Sequence, residues 1–286
     1  MTKNYLCIHG HFYQPPRENP WLDRIEKEPS AAPFDNWNQR INAECYHTNA
    51  FARILNDEGR IRHLLNNYEY ISFNFGPTLL SWMEKMDMET YEAILNADRR
   101  SRERLGHGNA LAQVYNHIIM PLANERDKHT QVIWGIRDFE FRFGRKPEGM
   151  WLAETAVDLP TLEVLAEHGI QFTILAPGQA KAFRQLGKKD WEEIIGTGIN
   201  TRRPYLCKLP SGKTINLFFY DGGLSQAVAF EGLLNYGKFF AERLTKDFND
   251  DVVELIHIAT DGESYGHHHR HGEMALAHAL HHVQKH

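Results

Sequence analysis

Short apolar or β-branched runs alternate with helical patterns along the whole chain. The runs are YLCIHG (5–10), YISFNFG (70–76), GMWLAE (149–154), FTILAP (172–177), TINLFFYDG (214–222) and VVELIHIATDG (252–262). Between them lie NAFARILNDEGRIRHLL (49–65), TYEAILNADRRSRERLG (90–106), DKHTQVIWGIRDFEFRFG (127–144) and DLPTLEVLAEHG (158–169), which read as helices. Several close on glycine, as a left-handed C-cap requires. Asp158 and Pro160, with an early Glu163, form a helix start. Strand then helix, repeated, predicts an α/β fold with a parallel sheet wrapped by helices. At 286 residues the leading architecture is a closed or nearly closed (β/α) barrel. A doubly wound open sheet is second. No low-complexity linker or fixed-period repeat divides the chain, so residues 1–286 are expected to form a single domain.

Composition narrows the partners. Basic residues number 32 and acidic residues 37, and no basic run stands out. That charge suits neither nucleic acid nor an anionic membrane and leaves a neutral or polar small molecule or polymer. Cys7, Cys45 and Cys207 are odd in number and far apart, which argues against a disulfide framework or a zinc ribbon. A reducing, cytoplasmic compartment follows. The start MTKNYLCIHGHF does not read as a signal peptide, and no run reaches the ~18 apolar residues of a membrane span. Oligomeric state is not legible.

The polar residues fall repeatedly at strand C-terminal ends: His9 and His11, Asn74, Glu154, Asp221, then Asp261 and Glu263. In a parallel barrel those ends share the face where loops build the active site. In HGHFYQPPREN (9–19), two histidines at i and i+2 point the same way on a strand, as for metal ligands or sugar hydroxyls, or as satisfied strand-end histidines. Phe12 and Tyr13 offer ring faces for a pyranose. In HGNALAQVYNHIIMPLA (107–123), Asn109, Gln113, Asn116 and His117 interrupt an apolar segment that is either a helix face or an irregular strand. In GMWLAETA (149–156), Glu154 ends a buried strand, where a carboxylate is costly unless paired or used. Trp151 beside it gives a low-dielectric wall or a sugar platform. In IHIATDGESYGHHHRHGE (256–273), Asp261 is the acid candidate and Gly262 and Gly266 allow sharp turns. Tyr265 stacks or hydrogen-bonds there. His267, His268 and His269 are consecutive, so they do not all face one ion; at least two read as a solvated loop or helix start.

Four stretches in order, HGHFYQPPR, GNALAQVYNHIIMPLA, WLAE and ATDGESYGH, resemble glycoside hydrolase family 57, above all its amylase- or mannosidase-like members. The resemblance runs over essentially the whole chain. It implies a (β/α)7 barrel that opens a longer protein. It implies a retaining glycosidase or glucanotransferase on α-linked glucans, with an oligo- or polysaccharide as substrate and no cofactor or metal. By it Glu154 is the catalytic nucleophile and Asp261 the general acid/base. His11, Gln14 and Trp151 line the sugar site, with His9 and His117 as neighbours and Glu263 and Tyr265 close to the acid. Such enzymes hold two carboxyl groups ~5–5.5 Å apart across the scissile bond. One attacks the anomeric carbon; the other protonates the departing oxygen. Glu263 either tunes Asp261 or faces a helix.

Two other readings remain at this stage. A metal-dependent hydrolase would use His9, His11, Asp261 and one of His267, His268 and His269 as zinc ligands. A non-catalytic carbohydrate-binding barrel would bind maltooligosaccharide without cleaving it.

Overall fold

A computed structural model describes residues 4–195, 198–246, 248 and 253–284. Val252, the first residue of the last predicted strand run, lies outside them. Seven principal strands are β1 (Tyr5–Phe12), β2 (Ser72–Phe75), β3 (Ala112–Gln113), β4 (Met150–Trp151), β5 (Phe172–Leu175), β6 (Thr214–Phe219) and β7 (Leu255–Asp261). The main helices are α1 (Pro77–Met86), α2 (Met88–Leu105), α3 (Glu125–Phe143), α4 (Leu159–Glu167), α5 (Gly222–Phe230), α6 (Gly237–Thr245) and α7 (Gly272–Val283). The chain falls into two compact units.

The first unit comprises Met1–Ile8, Leu111–Ser225 and Phe248–Ala259. Its strands β3 and β4 run parallel, pairing Ala112 with Met150 and Gln113 with Trp151. A parallel bridge joins Gly149 to Phe172, and β5 then pairs in parallel with β6. Asp221 donates its main-chain N–H to the His257 carbonyl at 2.7 Å, tying the end of β6 to β7. Leu111, Trp151, Ile174 and Ala259 form a buried cluster covered by Phe172, Phe218 and Tyr220. Helix α3 comes down on β3 at Gly135, where an added Cβ would lie 2.1 Å from the Gln113 carbonyl oxygen. That close approach is why glycine stands inside a helix.

The second unit comprises His9–Ala110, Gln226–Asp247 and Thr260–His286. Here β1 pairs in parallel with β2, His9 opposite Ser72 and His11 opposite Asn74. A parallel bridge from Phe73 to Ala110 continues the pattern. Phe12 is wholly buried, stacked on Phe75 with centroids 4.7 Å apart and met edge-on by Tyr46 and Tyr68.

The predicted helices at 90–106, 127–144 and 158–169 form as α2, α3 and α4. Gly106 and Gly144 are left-handed caps, and Asp158 accepts from the Thr161 N–H. The stretch 49–65 does not form one helix. A short helix ends at Ala50, and an antiparallel hairpin follows, Ala52–Leu55 against Ile61–Leu65. Asn56 and Gly59 decide it: the Asn56 side chain accepts from the N–H groups of Glu58 and Arg60, and Gly59 takes φ 75°. Local side-chain bonds of this kind compete with a helix and win at turns. Ala52 and Ile54 then alternate inward onto Ala277 of α7.

Candidate active site

In the first unit, β4 ends in a tight turn, Ala153–Thr155. Glu154 adopts φ 55°, ψ 21° and Thr155 φ 52°, two successive left-handed residues that are not glycine. L-residues pay ~1–2 kcal/mol each for that conformation. The turn holds because Thr155 and Ala156 donate to the Leu152 and Ala153 carbonyls, and Gln179 donates to the Thr155 carbonyl at 2.7 Å. Leu152, Ala153 and Thr155 are buried, while Glu154 is exposed. The strand end thus presents one carboxylate to solvent on a locked backbone. Trp151 lies one layer beneath, packed in the buried cluster with Leu111, Ile174 and Ala259. It serves as an apolar wall, and at 6% exposure it offers no open platform. His117 is half-buried at φ 55°, just beyond β3, its N–H bonded to the Val114 carbonyl. Neighbouring Asn116 and Gln131 bond each other reciprocally, Gln131 Nε2 to Asn116 Oδ1 and Asn116 N–H to Gln131 Oε1, both at 2.7 Å. Asp221 caps α5 by accepting from the Leu224 N–H.

In the second unit, His9 and His11 share one partner. Asn74 Oδ1 accepts from His9 Nε2 at 3.1 Å, and Asn74 Nδ2 donates to His11 Nδ1 at 2.9 Å. Ser72 Oγ bonds His9 Nδ1 at 2.9 Å. This order puts the His9 proton on Nε2 and leaves Nδ1 of both rings as acceptors. The parallel register of β1 and β2 makes it possible, because His11 stands opposite Asn74. His9 is fully buried, with both ring nitrogens bonded to side chains of β2. Gln14 Nε2 donates to the Tyr13 carbonyl, and Arg17 donates to Gln14 Oε1. Arg17 also pairs with Glu28 at 3.0 Å. Gln14 is thereby fixed in one orientation.

Asp261 is the exposed last residue of the otherwise buried β7. The turn that follows, Gly262–Ser264, is gripped from one side by a single helical segment. Cys45 Sγ lies 3.4 Å from the Gly262 carbonyl, Tyr46 donates its hydroxyl proton to Glu263 Oε1 at 2.5 Å, and Asn49 donates to the Tyr265 carbonyl at 2.7 Å. A π-turn over Asn42–Tyr46 widens the helix there and lets consecutive residues reach the same loop. The Tyr13 N–H also donates to Glu263 Oε1, at 3.2 Å. Burial raises Glu263's pKa to about 7, with the charge of Asp261 adding and the Tyr46 and Tyr13 hydrogen bonds opposing. Burial and the neighbouring acids keep the Tyr46 and Cys45 protons on well above their usual ranges.

Tyr265 is wholly buried, with Thr260 Oγ1 3.3 Å from its hydroxyl, so of its two expected roles stacking is overturned and hydrogen bonding is what the structure shows. Glu263 likewise bonds protein groups, at 6% exposure. The three consecutive histidines diverge. His267 pairs with Glu44 at 2.5 Å, His269 bonds the Ala229 carbonyl at 2.9 Å, and His268 is exposed. Among the described residues no three His, Cys, Asp or Glu side chains converge as a metal site. Tyr46 and Asn49 are not selected from the sequence, and Asn74 is placed there only as a polar strand-end residue, without its two histidine partners. Only the strand register and the π-turn bring them in. Among the described residues no helix is long and apolar enough to cross a membrane.

The family model for glycosyl hydrolase family 57 matches residues 20–286. Alpha-amylase 1 of Dictyoglomus thermophilum is 25% identical over 200 residues, covering 68% of this chain and 26% of that protein. Among solved structures, the 4-alpha-glucanotransferase from Thermococcus litoralis superposes with a TM-score of 0.67 at 15% identity, covering 100% of this chain and 38% of the other. A branching enzyme of the same family from Thermococcus kodakaraensis, crystallised with glucose, gives 0.64 at 15% identity, covering 99% of this chain and 68% of the other. The chain therefore spans about a quarter of the curated amylase and under two-fifths of the glucanotransferase. At these identities the solved structures establish the fold, the α/β class with parallel strands expected of a (β/α)7 barrel.

Proposed function

The chain belongs to glycosyl hydrolase family 57, and from that premise we propose that it is a retaining enzyme acting on α-linked glucans, as hydrolase or glucanotransferase, through a covalent glycosyl-enzyme intermediate. Glu154 is the nucleophile. Its carboxylate attacks the anomeric carbon as Asp261 gives its proton to the departing glycosidic oxygen. Asp261, now ionised, takes a proton from water or from an acceptor hydroxyl, whose oxygen displaces Glu154 from the sugar. The reading asks both carboxyl groups to reach one anomeric centre. His11 and Gln14 are assigned to the sugar's hydroxyls, with Trp151 and His117 as neighbours of the nucleophile. His9, Glu263 and Tyr265 hold the frame.

The observation that carries this reading is the backbone of Glu154. An exposed carboxylate at the end of a buried strand is held left-handed, next to a second left-handed residue. Strain of this kind concentrates where function requires a side chain to be aimed. Asp261 supports it in kind, as the one exposed residue closing β7. The reading extends to a cytoplasmic location, since Cys7, Cys45 and Cys207 are free thiols that a reducing compartment preserves.

The test is incubation with maltooligosaccharides, amylose and glycogen, with products separated by chromatography and their anomeric form followed by NMR. Glu154→Gln and Asp261→Asn are expected to abolish turnover with folding intact. Asp261→Asn given an α-glucosyl fluoride, whose leaving group needs no acid, is expected to accumulate a glycosyl ester on Glu154, seen by peptide mass spectrometry. Inverted products, or an ester on another residue, would overturn the assignment.

A further inference from the structure

A polar cavity of about 470 Å³ lies in the second unit, and neither Asp261, His11 nor Gln14 lines it. Its walls are helical residues 40–48, Arg53 of the hairpin, and residues 266–273 leading into α7. These walls are fixed against one another. Gly266 packs so tightly that an added Cβ would lie 2.3 Å from the Glu44 carbonyl oxygen. Ala52 and Ile54 hold the hairpin on Ala277 of α7. The cavity is therefore formed in advance, and its backbone needs no ordering to receive a ligand.

The charges lining it are unevenly matched. Arg40, Arg53 and Arg270 reach it from three different elements, joined by His271. Glu44 is already engaged, with Arg40 Nε at 3.1 Å and with His267 at 2.5 Å. Glu273 is 3% exposed. The Arg40 guanidinium is held over the Trp37 ring at 4.9 Å, with only its Nε bonded among the described residues. Arg53 reaches Met274 Sδ at 3.9 Å, and Arg270 pairs with no carboxylate among the described residues. His271 makes no side-chain capping bond to α7, although it stands at the N-cap position.

We propose that this cavity is a second ligand site, which takes the phosphoryl group of a sugar phosphate on Arg53 and Arg270, with Arg40 and His271 beside them. Guanidinium groups present paired N–H donors in one plane, which matches two oxygens of a phosphate, and such charge-assisted bonds are the strong ones. A neutral glucan would not draw on the charge of two arginines that no carboxylate offsets. The cavity has more room than a phosphate alone fills, and its remaining lining is polar, as sugar hydroxyls require. The site goes beyond the glucan-cleaving reading and does not rest on it.

Isothermal titration calorimetry of the whole chain with α-glucose 1-phosphate, inorganic phosphate and maltose tests it. α-Glucose 1-phosphate is expected to bind at one site per chain. Inorganic phosphate should compete with it more weakly, and maltose should not displace it. Arg53→Gln combined with Arg270→Gln should weaken binding about tenfold or more, with Tm unchanged because both side chains are exposed. Added salt should weaken binding to the wild type. NMR of the wild type gives a readout that needs no arginine variant. α-Glucose 1-phosphate should shift the His271 imidazole signals, assigned through His271→Gln, and leave those of His168 in the first unit unmoved. No saturable binding, equal binding by the double variant, or unmoved His271 signals would each overturn the proposal. Inorganic phosphate bound as tightly as the sugar phosphate would overturn the assignment of the ligand. None of these readouts requires glucan cleavage, so this site and the roles of Glu154 and Asp261 stand or fall separately.

Discussion

Gly262 lies against the face of the Phe12 ring so closely that an added Cβ would sit 2.2 Å from Phe12 Cδ1 and 2.3 Å from Cε1. The ring has nowhere to go. Phe75 stacks on it at 4.7 Å, and Tyr46 and Tyr68 meet it edge-on. Gly262→Ala is therefore expected to destabilise the protein by about 2–3 kcal/mol, the range for overpacking a rigid core. Thermal denaturation followed by circular dichroism should show a Tm lower by several degrees. Turnover should fall as well, because Gly262 directly follows Asp261. A Tm within a degree of wild type would show that the ring yields.

Much of this frame is written locally in the chain. Gly106, Gly144 and Asp158 mark helix ends by their own conformational needs, and the helices end there. The positions of Glu154 and Asp261 at strand ends were legible because an apolar run that is buried as a strand leads to each. The hairpin at 52–65 was not, because its residues match a helical pattern and the turn chemistry of Asn56 and Gly59 overrides it. Tyr265 reads as a site aromatic only until Gly266 is placed. Gly266 takes φ 148° against the Glu44 carbonyl, and the chain turns there with Tyr265 buried. Tyr46 carries no motif, and Asn74 was legible only as a polar strand end. Their roles arise from a strand register and a π-turn, which join residues 63 and 217 positions apart.

The left-handed backbone at Glu154 gives a second test. Glycine removes the Cβ penalty of ~1–2 kcal/mol and costs roughly 0.5–1 kcal/mol of unfolded-state entropy. Glu154→Gly is thus expected to be as stable as the wild type, or more stable by up to about 1 kcal/mol in urea denaturation, with glucan turnover abolished. Destabilisation by more than about 1 kcal/mol would mean that the side chain holds the turn and the residue is structural.

Asn74 carries the orientation of two histidines. Asn74→Ala leaves the buried His9 Nε2 and the His11 Nδ1 without that partner. Each net hydrogen bond lost is worth about 0.5–1.5 kcal/mol, so a loss of roughly 1–3 kcal/mol is expected in chemical denaturation. With His11 loosened, KM for maltooligosaccharides should rise. Asn74→Asp keeps the acceptor for His9 and should restore part of the stability but not the His11 bond. Equal stability of both variants with wild type would remove Asn74 from the frame.

Two buried groups make the pH dependence of stability testable, because their signs oppose. His257, buried beside Phe218 with neither ring nitrogen bonded, has its pKa lowered by burial to about 4. The unfolded chain binds that proton below about 6.5, so the neutral ring's contribution is whole above that pH and is lost as pH falls to about 4. Glu263 is the reverse. Its raised pKa keeps the folded carboxyl protonated, so its contribution is whole below about 4.5 and is lost as pH rises through about 7. Each shift corresponds to about 3 kcal/mol across its window. Between pH 4.5 and 6.5 the two slopes cancel. Wild-type stability is expected to be nearly flat there in these two terms, while Glu263→Gln gains stability with rising pH and His257→Phe loses it. The double variant should be flat again. Denaturant midpoints at half-unit steps from pH 4.5 to 7 measure all four, and a Glu263→Gln slope equal to wild type would place that carboxyl in its ionised form throughout the range.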